Sequence, residues 1–263
     1  MKKKIMSLLL ASAMAVTAVG LTACGGDNDG GNGINGNTDP STIVSEKVEN
    51  EAAWRAAFDY NNVNNFTMKQ TGIRDDVPEA YRTQVGYVKA DGSKTSEQST
   101  RYRVKYDDET GEYIKENGEL VYEQSIFEAY TYSENGKYYR VNYYEDDSKW
   151  YRYETSDGID NYGPMIFKGD DDMIENYAEF VYDDKKKAYV GTITDEDDDE
   201  YNYVVKIVDG KVVYYSYAYE YEGYTDDDEP VTVHRQYGIL IYDVGTTSVT
   251  LPANIEDYPE DAN

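Results

Sequence analysis

Three two-residue turns constrain this chain more than any other feature. Asn117-Gly118 lies between YIKE and ELVY, Asn135-Gly136 lies within TYSENGKYYRVNYYE, and Asp209-Gly210 divides YNYVVKIV from KVVYYSYAYEY. Asn-Gly and Asp-Gly tolerate positive φ at both central positions of a tight hairpin turn, so the runs on either side are expected to pair antiparallel. The run after Asp209-Gly210 alternates. Val213, Tyr215, Tyr217, Tyr219 and Tyr221 share one parity, while Ser216, Ala218, Glu220 and Glu222 share the other. Successive strand side chains point to opposite faces, so one face of this segment is almost all tyrosine and something must cover it.

The same period recurs along the chain. Tyr81, Thr83, Val85 and Tyr87 alternate with Arg82, Gln84 and Gly86, and Tyr102, Val104 and Tyr106 alternate with Arg101, Arg103 and Lys105. KWYRYE follows a turn at Asp146-Asp147-Ser148, and YAEFVYDD, KKKAYVGTI and VTVHRQYGILIYDV complete the series. The chain holds 30 tyrosines, yet beyond residue 24 its leucines are Leu120, Leu240 and Leu251. That balance suits a pleated surface better than a helix-built core.

One helix opens the series. In SEKVENEAAWRAAFDY, Trp54 and Phe58 are spaced i,i+4, Val48 and Ala52 extend the stripe, and Glu51 precedes Arg55 by four. Ser45 or Asn50 would cap its start. A second short helix is expected between Asp170 and Tyr177. An open sheet of about ten strands must curl or close. The expected fold is therefore mainly β (α+β). It is a single curved antiparallel sheet forming a half-barrel or open barrel over residues 46–263, with the N-terminal helix on its concave face or mouth.

The N-terminus is of another kind. MKKKIMSLLLASAMAVTAVGLTACGG sets three lysines before an uncharged stretch from Ile5 to Ala23, the layout of a secretory signal peptide. Leu21-Thr22-Ala23-Cys24-Gly25 resembles the bacterial lipobox. The resemblance implies cleavage after residue 23, diacylation of Cys24, and anchoring of an extracytoplasmic protein in the cell membrane or outer membrane. Cys24 is also the one cysteine, so no internal disulfide or cysteine cluster is available. The stretch GGDNDGGNGINGNTDPST lacks the EF-hand spacing, with Gly31 and Thr38 where ligands belong. Residues 24–45 are expected to form a flexible Gly/Asn/Asp tether with a reach of roughly 25 Å.

The order of lipobox, helix and many strands also carries a family resemblance. The residues concerned are Glu51-Ala52-Ala53-Trp54 with Phe58, Asn65-Phe66-Thr67, Tyr182-Asp183-Asp184 with Ala188-Tyr189, and Thr247-Ser248-Val249-Thr250-Leu251-Pro252. In this order the chain resembles the half-barrel lipoproteins related to the lipoprotein-localisation factors and the mycobacterial lipid-carrying lipoproteins. It resembles more closely acidic lipoproteins of Gram-positive gut bacteria. The resemblance implies a curved sheet whose concave face binds acyl chains.

Charge and motifs narrow the chemistry. With 25 basic against 52 acidic residues and a net charge of −27, the chain is not expected to bind nucleic acid, which is held through Lys and Arg. His234 is the sole histidine and stands apart from any second ligand, so neither a zinc site nor a histidine-based triad is expected. The clusters Asp170–Asp172, Asp195–Glu200 and Asp226–Glu229 fall at turns. They read as solvated loop charge, with weak loop-bound calcium as the alternative. No pair of carboxylates is singled out for glycosidase work. The protein is therefore expected to be non-enzymatic and without cofactor, and the sequence leaves its oligomeric state open.

The surplus of aromatic surface is the candidate site. Trp54, Phe58, Tyr201, Tyr203, Tyr215, Tyr217, Tyr219 and Tyr221 are the residues chosen for it, with Tyr139, Tyr143, Trp150 and Tyr151 as further candidates. Tyrosine offers a flat, partly apolar body with a polar tip. Two functions follow: carriage of a lipid or other amphipathic ligand on a concave aromatic face, or adhesion by glycan or peptide capture on an exposed tyrosine strip.

Overall fold

The three turns adopt the backbone their residues permit. φ is 53° and 89° at Asn117 and Gly118, 51° and 78° at Asn135 and Gly136, and 52° and 69° at Asp209 and Gly210. The computed structural model describes residues 33–107, 110–144, 149–156, 158, 166–167, 171–195, 198–224 and 230–259, and residues from Gly31 onward form one unit. The signal segment, Cys24, the tether up to residue 32, the Asp146-Asp147-Ser148 turn, Asp170, Glu196, Asp197 and the cluster at 226–229 lie outside the described residues.

The protein is mainly β. Helix α1 (Glu51–Ala57) precedes β1 (Asn65–Arg74), β2 (Thr83–Asp91), β3 (Lys94–Val104), β4 (Lys115–Glu116), β5 (Glu119–Leu120), β6 (Tyr122–Glu134), β7 (Lys137–Tyr144) and β8 (Lys149–Thr155). A short helix α2 (Asp171–Glu175) leads to β9 (Phe180–Asp183), β10 (Ala188–Thr194), β11 (Glu200–Val208), β12 (Lys211–Tyr224) and β13 (Pro230–Tyr242). Eleven strands form one sheet in the order β8-β7-β6-β3-β2-β1-β13-β12-β11-β10-β9. Every pairing is antiparallel, and the sheet is open, with β8 and β9 at its edges. Most neighbours are consecutive in sequence. The exceptions are β3–β6 and the β1–β13 pair, which runs from Thr67↔Tyr242 to Arg74↔Arg235 and joins the first strand to the last.

Two elements depart from the expected meander. The hairpin at Asn117-Gly118 forms β4 and β5 as a separate two-stranded piece, while β3 pairs directly with β6. Residues 105–107 and 110–121 thus belong to a side arm, held by Lys105 N–H donating to Val121 O at 2.8 Å and Ile114 N–H donating to Lys105 O at 2.9 Å. Tyr81, expected in a strand, belongs to a 3₁₀ turn over Glu79–Tyr81. Pro78 begins that turn and cannot donate to a ladder.

Helix α1 is shorter than its sequence pattern. Asn50 caps it, accepting from Ala53 N–H at 3.0 Å, and Glu51 pairs with Arg55 at 3.0 Å. Ser45 serves the sheet instead, its hydroxyl accepting from Ile207 N–H at 2.9 Å. The core lies on one face of the sheet around Trp54, which is fully buried. Its ring contacts Phe58 at 5.1 Å, Phe180 at 4.8 Å, Tyr189 at 5.2 Å and Tyr177 at 5.6 Å. Phe66, Met68, Val205, Ile207 and Ile241 continue this cluster across β1, β11 and β13.

The opposite face is covered by chain ends. Residues 34–46, read from sequence as the end of a flexible tether, lie along the sheet. Ile43 packs with Val213, Leu240 and Tyr242, Lys206 Nζ donates to Ile43 O at 2.7 Å, and Glu46 accepts from the amides of Asp209 and Gly210 at 3.0 and 3.1 Å. Ile34 and Ile43 are the apolar anchors of this otherwise polar stretch. The C-terminal segment covers β6–β8 through Ile255, Leu251 and Tyr258, and Tyr258 stacks on Trp150 at 5.7 Å. Asn65 and Thr67 meet Thr247, with Thr247 N–H donating to Asn65 Oδ1 at 2.8 Å and the two threonine hydroxyls 2.9 Å apart.

Candidate ligand-binding face

Directly opposed residues of antiparallel strands project from the same face, so the register traces what α1 does not cover. One transverse row runs through Val205, Tyr215, Ile239, Gln70, Gly86, Ser99 and Phe127. It starts in the core. The next row runs through Tyr203, Tyr217, Tyr237, Gly72 and Gln84, and the opposed pair Arg101 and Ser125 of β3 and β6 lies one residue beyond the last β2–β3 pair, Val85↔Thr100. A third contains Tyr219, Arg235 and Arg74.

Along these rows the tyrosines form a connected ladder. Tyr217 lies 5.6 Å from Tyr203, 5.3 Å from Tyr237 and 6.1 Å from Tyr201. Tyr219 lies 5.1 Å from Tyr201, 6.1 Å from Tyr221 and 6.4 Å from Tyr237. All six rings are partly exposed. Burial raises the Tyr219 phenol above its usual pKa, with Tyr237 adding to the effect. Tyr201 is raised likewise, first by burial and then by the charge of Asp195. Both phenols therefore remain neutral hydrogen-bonding groups through neutral pH.

Arg235 closes one end of the ladder. Its Nη2 donates to the Tyr221 hydroxyl at 2.9 Å, its guanidinium carbon lies 5.4 Å from that ring's centroid, and Asp76 stands 3.6 Å away. Burial works against the Arg235 charge, but hydrogen bonds to Tyr237 and Tyr221 and the charge of Asp76 outweigh it and raise its pKa. Asp76 also binds Arg74 through a paired contact. Burial opposes the Asp76 charge, yet the Arg74 hydrogen bond prevails and holds its carboxyl below the usual value.

Of the residues chosen from sequence, Tyr201, Tyr203, Tyr217, Tyr219 and Tyr221 come together. Trp54, Phe58 and Tyr215 lie beneath, at 0%, 5% and 2% exposure, as core residues. Tyr139, Tyr143 and Trp150 belong to the opposite face, and Tyr151 contacts Tyr144 at 5.4 Å. Sequence reading missed Tyr237 and Arg235, although Val233, Arg235, Tyr237, Ile239 and Ile241 share a parity. His234 sits on the other face between Asp75 and Glu220, at 2.7 and 2.9 Å. Among the described residues no group of three or more His, Cys, Asp or Glu side chains converges as metal ligands. Nor is any described helix long and apolar enough to cross a membrane.

No protein-family model and no curated protein sequence matches the chain.

Proposed function

We propose that this is a lipid-anchored, extracytoplasmic, non-enzymatic protein that captures carbohydrate chains on its tyrosine ladder. One observation carries the reading. Tyr201, Tyr203, Tyr217, Tyr219, Tyr221 and Tyr237 form a continuous, partly exposed aromatic strip next to a core that protein side chains already fill. Flat rings with hydroxyl edges suit pyranose rings, whose C–H faces pack on aromatic faces while their hydroxyls meet phenols. The packing of Trp54, Phe58, Phe167, Phe180 and Tyr189 under α1 favours surface capture over an enclosed acyl chain.

The same reading takes the open sheet as a half-barrel with α1 on its concave side, related to the half-barrel lipoproteins. The consecutive strand order on each side of the β1–β13 pair supports it. Cys24 serves as the anchor. Residues 34–46 lie on the face opposite the tyrosines.

The test is a glycan array probed with the full chain in detergent, beside native mass spectrometry of the same sample. Binding of an oligosaccharide that Tyr217→Ala and Tyr219→Ala abolish supports capture. A bound lipid mass with no glycan signal overturns it in favour of carriage. Detergent-phase partitioning that Cys24→Ser eliminates supports the anchor, and partitioning unchanged by that substitution overturns it.

A further inference from the structure

The ladder's row does not end at the aromatic strip. Past Tyr237 it crosses Gly72 and Gln84, and Arg101 on β3, opposite Ser125 on β6, stands one residue beyond the last β2–β3 pair, Val85↔Thr100. At Gly72 the Gln84 side chain lies close, since a Cβ added there would come within 2.3 Å of Gln84 Nε2. Glycine thus leaves a low amide-lined floor between the tyrosines and Arg101. Five strand spacings separate β12 from β6, about 24 Å at 4.8 Å each.

Arg101 differs from every other arginine of the chain. Arg55, Arg74, Arg103, Arg140, Arg152 and Arg235 each have a carboxylate partner. Arg82 donates to the carbonyls of Val77 and Asp75. Among the described residues the Arg101 guanidinium has no hydrogen bond or ion pair, and its side chain is exposed. In a chain with 52 acidic residues, an arginine left without a carboxylate keeps its donor fork available to something else.

Its surroundings have the chemistry of a sugar subsite. Arg101 lines a cleft of about 320 Å³ with Ser99, Arg103, Ser125, Phe127 and Tyr144. Phe127 and Tyr144 are 39% and 42% exposed, which supplies aromatic surface, and Ser99 and the buried Ser125 add hydroxyls to the lining. The Arg103 charge is already met by Glu123 at 2.9 Å. Among the described residues the cation of the cleft without a carboxylate partner is therefore Arg101.

We propose that the Arg101 cleft is a second subsite of the tyrosine face, which takes a pyranose bearing a carboxylate, so that the captured glycan is acidic. This rests on the glycan-capture reading. The carboxylate meets the Arg101 fork in bidentate geometry, the serine hydroxyls take sugar hydroxyls, and Phe127 or Tyr144 backs the ring. A chain spanning the floor then reaches the ladder. The field of the whole protein is negative and repels such a ligand at long range, so selectivity comes from the local fork and not from steering.

The experiment is titration of the full chain with hexagalacturonate and with its carboxyl-reduced, neutral counterpart, for wild type, Arg101→Gln, Arg101→Lys and Tyr219→Ala. Wild type is expected to favour the acidic hexamer at least tenfold. Arg101→Gln should bring the two within twofold by weakening the acidic hexamer, and Arg101→Lys should keep part of the preference. No acidic preference in wild type, or a preference that Arg101→Gln leaves intact, overturns the subsite. If Tyr219→Ala weakens both ligands while Arg101→Gln changes neither, the subsite alone fails. If wild type binds neither hexamer, the glycan reading on which it rests fails for these sugars and the subsite falls with it.

Discussion

Tyr215 and Tyr219 project from the same face of one strand, and the structure gives them opposite environments. Tyr215 is 2% exposed and lies 5.5 Å from Phe167. Tyr219 is partly exposed, with Tyr201, Tyr217, Tyr221 and Tyr237 around it. Core and candidate site are therefore successive stretches of a single alternating pattern, and α1 with the aromatics beside it marks where one gives way to the other.

Substitution at these two positions should separate stability from binding. Tyr215→Ala opens a cavity beside Phe167 and is expected to cost about 3–5 kcal/mol, as for buried aromatics generally. Tyr219→Ala removes only cross-strand contacts, each worth roughly 0.2–1 kcal/mol, yet it breaks the centre of the ladder. Urea titration should show a large loss for the first variant and a small one for the second. Glycan affinity should fall at least tenfold in Tyr219→Ala.

Trp54 is the next test of the core. It is fully buried among four aromatic rings, and its indole Nε1 has no hydrogen-bond partner among the described residues. Trp54→Ala should cost about 3–5 kcal/mol. Trp54→Phe should recover most of that, because the lost N–H made no bond and the smaller ring keeps much of the packing. Chemical denaturation of the two variants checks the difference. Equal losses would mean that the ring's size, and not its burial, holds α1 in place.

The strands and turns were legible because their signals are local. Asn135-Gly136 and Asp209-Gly210 announce their hairpins, and the odd-numbered tyrosines of β12 do share a face. The pairing of β13 was not legible. Tyr237 joins the ladder only because β13 pairs with both β12 and β1, and the register between strands far apart in sequence leaves no local mark. The same holds for Arg101. Gly72 and Gln84, which lead toward it, are ordinary in sequence, and its lack of a carboxylate partner among the described residues is visible only in space. Ser45 misled for a related reason, since a serine before an apolar stripe reads as a cap until Ile207 is found to donate to it.

Asp91 links the β2–β3 turn to the C-terminal segment. One carboxylate oxygen accepts from Ser93 N–H at 2.9 Å and Lys94 N–H at 2.8 Å, and the other accepts from Val249 N–H at 3.2 Å. Burial opposes its charge, but these donors outweigh it and hold the carboxyl below its usual 3.8. A carboxylate whose folded pKa is depressed contributes stability that is full above the unfolded value and lost as pH falls through the folded one. Asp91→Ala should therefore cost about 1–3 kcal/mol at pH 7, and the gap between wild type and variant should narrow below pH 3.8. Urea midpoints for both proteins across that range provide the check, and a gap independent of pH would sink the assignment.

Lys206 tests the strap of residues 34–46. It is 3% exposed, and its Nζ donates to Ile43 O at 2.7 Å and to Ser41 O at 3.4 Å. Burial lowers its pKa, with Asp39 acting the other way. For a lysine depressed in this way the unfolded chain binds more protons between the two pKa values, so its contribution to stability rises as pH climbs through the folded value toward 10.5. Lys206→Met keeps the apolar stem and removes the donor, which leaves the Ile43 carbonyl without its Nζ partner at a cost of about 1–3 kcal/mol. The loss should be local. Hydrogen exchange at Ser45 and Glu46, whose amides donate to Lys187 O and Ile207 O at 2.9 and 2.8 Å, should quicken at least tenfold, while β1 and β2 exchange as before. Unchanged protection at Ser45 and Glu46 would mean that Ile43 packing and the hydrogen bonds of Ser45 and Glu46 fasten the strap and that the buried ammonium does not hold it.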